Sequence, residues 1–151
     1  MTLSQAQQLA ESLMTHYGLK DWRFQFDSAK RRFGACNYTH KQIRLSALLT
    51  QNNDEVRVKD TILHEIAHAL TPGHGHDKVW KAKCREIGCS DERCFTSEDT
   101  NIIAGKYKAV CGGCGKVFTR HRKTRTGRRH ACLCQNHLPW DKKKLLEFSH
   151  C

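Results

Sequence analysis

A chain of 151 residues with 38% hydrophobic and 27% charged residues has room for one ordinary domain, or a small domain with an appendage, and enough apolar content to exclude wholesale disorder. No apolar run approaches the roughly 18 residues that span a bilayer, and the polar opening from Met1 to Gln8 lacks the basic-then-apolar layout of a secretory signal. A cytoplasmic protein with no membrane partner is the expectation. The formal net charge of +11 is concentrated in one part: residues 1–104 carry 14 Lys and Arg against 13 Asp and Glu, whereas residues 105–151 carry 12 against 2. Such a lopsided basic segment has the footprint of a nucleic-acid binder. Nine cysteines, an odd number with no export signal, read as metal ligands or inert core thiols rather than a disulfide framework.

In chain order, Leu9, Ala10, Leu13, Met14 and Tyr17 recur at helical spacing, and Gly18 is placed to end that helix. Trp22, Phe24 and Phe26 alternate with polar residues, as in a half-buried strand, and Lys30-Arg31-Arg32 marks a solvated turn. Phe33 to Tyr38 and Gln42 to Ser46 form a predicted hairpin around Thr39-His40-Lys41, followed by a loop at Gln51 to Asp54. A second amphipathic helix runs from about Val56 to Leu70 and stops at Pro72-Gly73. A third starts near Asp77 and ends at Gly88, and Cys89 to Thr100 reads as a polar connector. Short strands and basic turns around paired cysteines follow, with the domain boundary near Ala104.

The second helix carries His64-Glu65-Ile66-Ala67-His68, an H-E-x-x-H motif. Residues four apart share a helix face, so both imidazoles reach one metal, and Glu65 can take a proton from a water bound there. The bland alternative is a core helix with two hydrogen-bonded histidines. A catalytic zinc takes three protein ligands and keeps one position open, and the chain offers two further imidazoles just after the helix stops, His74 and His76. His74 is ten residues after His64; His76 stands four residues before Trp80, which can wall the site.

These residues, with Gly75-His76-Asp77-Lys78-Val79-Trp80 and the hairpin segments Gly34 to Tyr38 and Ile43 to Ser46, resemble the SprT-like zinc metallopeptidases, relatives of the Spartan-type DNA–protein crosslink proteases. The resemblance implies an α+β fold, with a zincin-like metalloprotease domain of helices and a small sheet over residues 1–104. It also implies a small zinc-ribbon module over 105–151, His76 as the third ligand, and proteins on DNA as substrates. Asp77 departs from the glycine common at that position. A peptide added as a strand at the hairpin edge would be held by main-chain hydrogen bonds, which suits varied protein substrates.

The basic segment has its own metal pattern. Cys111-Gly112-Gly113-Cys114 is a compact knuckle, and Cys132-Leu133-Cys134 follows after seventeen residues. Together they make a closed four-cysteine structural zinc site, with His137 as an alternative to Cys134 for the fourth ligand. About 45 residues hold too little core to fold without such a staple. Between the pairs, Arg120, Arg122, Lys123, Arg125, Arg128 and Arg129 are candidates for sequence-independent phosphate contact, and Phe118 and Trp140 could stack on bases.

The expectation is therefore a zinc-dependent endopeptidase acting on proteins at or crosslinked to DNA. One catalytic zinc sits on His64, His68 and His76 with Glu65 activating water, and one structural zinc sits on Cys111, Cys114, Cys132 and Cys134. The alternative is a catalytically silent nucleic-acid-binding zinc adaptor, in which Glu65 would have no task. A histidine-metal nuclease, suggested by the spacing of His64, His68 and His74, would leave Glu65 equally idle.

Overall fold

Thr2 opens the first helix, α1 (Leu3–His16), by a reciprocal cap: its side chain accepts from Gln5 N–H while the Gln5 side chain accepts from the Thr2 backbone. The helix gives way at Gly18, whose φ of 76° only a residue without a Cβ adopts freely. In the computed structural model, residues 1–92, 101, 104–123 and 129–150 are described. The chain divides into two compact units, Met1–Ile103 and Ala104–Cys151. Residues 93–100, most of the predicted connector, lie outside the described residues.

In the first unit the strands β1 (Arg23–Asp27), β2 (Gly34–Asn37) and β3 (Gln42–Ser46) form one sheet in the order β1-β3-β2. β2 and β3 are the expected hairpin, antiparallel with Gly34 opposite Leu45. β1 joins the other side of β3 in parallel, Phe24 opposite Ile43 and Phe26 opposite Leu45. β3 is thus central and buried on both faces, and β2 is the edge strand of this sheet among the described residues. The loop expected at Gln51 to Asp54 is partly helix: α2 (Ala47–Asn52) starts because the Ser46 hydroxyl accepts from Leu49 N–H, and Leu49 and Thr50 are buried. Next, Asp54 caps α3 (Glu55–Leu70) by accepting from Arg57 N–H.

α3 presents two faces. Val58, Ile62 and Ile66 pack with Ala6, Ala10 and Met14 of α1 and with Ile43 and Leu45 of the sheet. Each fully buried valine, leucine or isoleucine side chain there contributes roughly 1.5–3 kcal/mol. On another side Leu63 and Ala67 meet Trp80 and Cys84 of α4 (Lys78–Ile87). Cys84 and Cys89 are buried in that second cluster; Cys94 and Cys151 lie outside the described residues.

The second unit is a sheet in the order β5-β4-β6, with β4 (Tyr107–Val110), β5 (Val117–Arg120) and β6 (Ser149–His150) all antiparallel. Short 3-10 turns follow Cys132 and Pro139. Among the described residues no helix is long and apolar enough to cross a membrane.

Candidate metal centre and cleft

One turn of α3 separates His64 from His68, so both rings leave the same side of the helix. The third ring arrives from the turn that follows. Thr71 ends α3 by returning its hydroxyl to Ala67 O at 2.8 Å, Gly73 turns the chain with a φ of 83°, and Asp77 starts α4 by accepting from Val79 and Trp80 N–H. Asp77 therefore occupies the expected glycine's place as a helix cap. It also holds His74, whose Nδ1 lies 2.8 Å from Asp77 Oδ2, so that His76 is the histidine that joins His64 and His68.

His76 Nε2 lies 3.2 Å from His68 Nε2 and 3.4 Å from His64 Nε2. Zinc–nitrogen bonds of 2.0–2.1 Å in a tetrahedron set ligand–ligand edges at about 3.3–3.4 Å, so the donor set fits that ion. Trp80, fully buried, lies against all three rings, with centroids 4.7 Å from His64, 5.0 Å from His68 and 4.6 Å from His76. Burial, reinforced by the neighbouring imidazoles, lowers His64 to a pKa of about 3 and His68 to about 4. Both rings stay neutral near pH 7, which leaves their lone pairs available.

Glu65 points from α3 towards β2 and is only 6% exposed. Burial pushes its carboxyl up to about 8, with the Arg32 charge opposing. Its seat exists because residue 34 is glycine: a Cβ there would stand 2.4 Å from Glu65 Oε1 and 2.7 Å from Cγ. Farther along β2 the Cys36 thiol is raised to about 12, by burial first and by Glu65 second. Beyond the strand the Tyr38 hydroxyl donates to His68 O at 2.7 Å. These residues wall a cleft of about 1040 Å³ that also takes in Arg31 and Arg32. The turn read as simply solvated thus borders the cleft, although Arg32 is paired with Asp27. Gly34 and Cys36 carried no spacing signal that would mark them as neighbours of Glu65.

Three convergent imidazoles, a buried carboxyl beside them and a cleft along a strand edge define a metallopeptidase-like protein. Over residues 3–101 the chain matches the SprT-like family, and it belongs to that family. It is 26% identical over 126 residues to Protein SprT of Shewanella oneidensis, covering 76% of this chain and 80% of the relative. Two solved metallopeptidase zymogens are also similar. Methanocaldococcus jannaschii jannalysin (16% identity, TM-score 0.48) matches 62% of this chain and 85% of its own length. Pyrococcus abyssi abylysin (14% identity, TM-score 0.48) matches 62% and 87%.

In the second unit Cys111, Cys114, Cys132 and Cys134 bring their sulfurs within 4.8 Å of one another. Cys111 Sγ lies 3.6 Å from Cys134 Sγ, and Cys114 Sγ 3.7 Å from Cys132 Sγ. Zinc–sulfur bonds of 2.3 Å give tetrahedral edges of about 3.8 Å, so this set also fits zinc, and Cys134, the first of the two candidates for the fourth place, lies within the group. The C-x-C spacing serves because Cys132 is extended (φ −72°, ψ 146°) and a 3-10 turn begins at Leu133. The N–H groups of Cys114 and Gly113 draw the Cys111 thiol down to about 6.

Of the predicted phosphate-contacting residues, Arg122, Lys123 and Arg129 are exposed, while Arg120 lies over the Phe148 ring at 4.3 Å. Arg125 and Arg128 lie outside the described residues. Trp140 is 56% exposed, with the Lys143 ammonium 4.6 Å from its ring centroid.

Proposed function

We propose that this chain is a zinc-dependent endopeptidase that acts on proteins at or crosslinked to DNA. The observation that carries the reading is the meeting of His64, His68 and His76 at Nε2 separations of 3.2 and 3.4 Å beside a carboxyl seated on an edge strand. Zinc on these nitrogens would supply Lewis acidity, acidifying water and polarising a peptide carbonyl. The protein's own residues do the rest. Glu65 takes a proton onto a carboxylate oxygen and later gives it to the departing amine; the charge of a bound zinc would offset the burial that otherwise keeps its carboxyl protonated. Trp80 and Tyr38 hold the rings and the end of α3 in place. The outer edge of β2, unpaired among the described residues, can accept an extended substrate as a further strand, through main-chain hydrogen bonds that do not depend on its side chains.

Delivery to DNA is assigned to the second unit. A net charge of +10 over residues 105–151, exposed Arg122, Lys123 and Arg129, and exposed Trp140 support phosphate contact with base stacking. The test compares the chain with its Glu65→Gln form on a DNA-bound protein substrate. Proteolysis by the wild type that vanishes in Glu65→Gln is the expected outcome. Metal-loaded wild type that binds DNA but cleaves nothing would return the reading to an adaptor.

A further inference from the structure

Gln135 is a buried polar side chain, 4% exposed, in a unit whose other buried side chains among the described residues are Ala109, Cys111 and Cys132. Its amide is fully employed. Lys144 N–H donates to Gln135 Oε1 at 2.7 Å, and Gln135 Nε2 donates to Lys144 O at 3.1 Å. A backbone N–H can only donate, so the oxygen must face it, which turns Nε2 towards the remaining acceptors. One of these is Cys111 Sγ at 3.5 Å. A single side chain therefore pairs with Lys144 as a neighbouring strand would, and with a sulfur of the four-cysteine group.

Lys144 touches the same group from outside. Its Nζ donates to Gly112 O at 3.3 Å, and its stem crosses the knuckle where residue 112 has no Cβ; one placed there would stand 3.1 Å from Lys144 Cδ. Beyond it the chain stays attached: Leu145 bridges Ala131, Leu146 N–H donates to His130 O at 2.8 Å, and β6 pairs with β4.

We infer that Gln135 is a positioning residue that couples metal occupancy of the four cysteines to the docking of residues 144–150; this rests on the reading of those cysteines as a zinc site. Four thiolates on a divalent ion carry a formal charge of about −2, which favours N–H donors and an ammonium around the sulfurs. Metal would hold the Cys111 sulfur at one place within reach of Gln135 Nε2, so metal fixes the Gln135 amide, and the amide fixes Lys144. Linkage makes the effect reciprocal: a docked segment retains metal more tightly.

The test uses the zinc-loaded full chain in a His64→Ala background, so that released zinc comes from the cysteines. Zinc transfer to a chromogenic chelator is timed for Gln135→Leu and Gln135→Glu, with hydrogen exchange at the Lys144 and Leu146 amides followed in parallel. Release should accelerate about 10–100-fold. Glu should be the worse of the two, since its second oxygen faces a thiolate; a requirement for size alone would leave the isosteric Glu harmless. Stripping the wild type of metal should expose Lys144 to exchange. Deleting residues 144–151 should accelerate release by the same factor with Gln135 intact, which covers the case of a variant that does not fold. Unchanged release in both variants, or a Lys144 amide still protected without metal, would overturn the coupling. Equal zinc content in Cys111→Ser and its parent would instead sink the zinc site itself.

Discussion

A glycine is defined here by what it leaves vacant. Gly34 sits opposite Leu45 in an ordinary antiparallel register, and its backbone asks nothing unusual. What requires it is the carboxyl of Glu65, which lies where a Cβ would be. In Gly34→Ala the methyl group cannot be relieved by moving Oε1 alone, because Cγ and Cδ would also lie 2.7 and 2.9 Å away. The whole side chain of Glu65 must shift. We expect kcat on a peptide substrate to fall by about 10–100-fold, the scale on which a misplaced reacting group costs rate. Zinc bound to the three histidines should be kept, since the three atoms nearest an added methyl all belong to Glu65. In a Glu65→Asp background, whose side chain is one methylene shorter, the same change should cost less. Parallel measurement of kcat and zinc stoichiometry in the four proteins checks this; equal, additive losses would mean that Gly34 serves the strand and not the carboxyl.

The capped helix α4 and the motif helix α3 respond to different perturbations. Asp77→Ala removes an acceptor for two N–H groups and the partner of His74. Loss of the cap should lower the melting temperature and loosen His76, so zinc affinity should fall with it, while Asp77→Asn should keep most of both. For α3 the metal-free protein has a pH signature. His64 and His68 drop from an ordinary 6.5 to about 3 and about 4, while Glu65 rises from 4.5 to about 8. Between pH 4.5 and 6.5 the unfolded chain binds both histidine protons and the folded chain binds one proton on Glu65, so stability rises with pH. From 6.5 to 8 only the folded chain holds a proton, on Glu65, and stability falls. Melting of the first unit in chelator should therefore peak near pH 6.5, and a monotonic profile would contradict these environments. α3, its stop at Thr71 and the β2–β3 hairpin were legible because periodicity, caps and turn residues are local. α2 was not: six residues at Ala47–Asn52 carry too little periodicity, and their helix depends on the Ser46 cap and on burying Leu49. Nor was the parallel β1–β3 pairing, which local pattern does not encode. The three histidines and four cysteines that converge could be read from their spacing, whereas Gly34 and Gln135 gain their proposed roles only from residues distant in sequence.

At the scale of the whole chain, two units of different charge divide the proposed work. Neutralising Arg122, Lys123, Arg125, Arg128 and Arg129 should weaken binding to every DNA sequence alike, each lost phosphate contact reducing the salt slope by roughly 0.7–0.9. Cleavage of a small free peptide should persist while cleavage of a DNA-bound protein falls, if the second unit acts as proposed, by raising local concentration alone. Matched rates on the two substrates, with wild-type and neutralised chains, check the division; equal losses on both would give the basic residues a part in the active site. The two donor sets also differ in a property that charge does not describe. One is built of nitrogens with edges of 3.2 and 3.4 Å, the other of sulfurs with edges of 3.6 and 3.7 Å. Soft ions favour thiolates and borderline ions accept imidazole. A single chain can thus be loaded with unlike metals, cadmium on the cysteines and cobalt on the histidines. Each half would then carry its own spectroscopic reporter, and exposure to a soft toxic metal would strike the unit proposed to face DNA first, leaving the proposed peptide-cutting chemistry intact but undelivered.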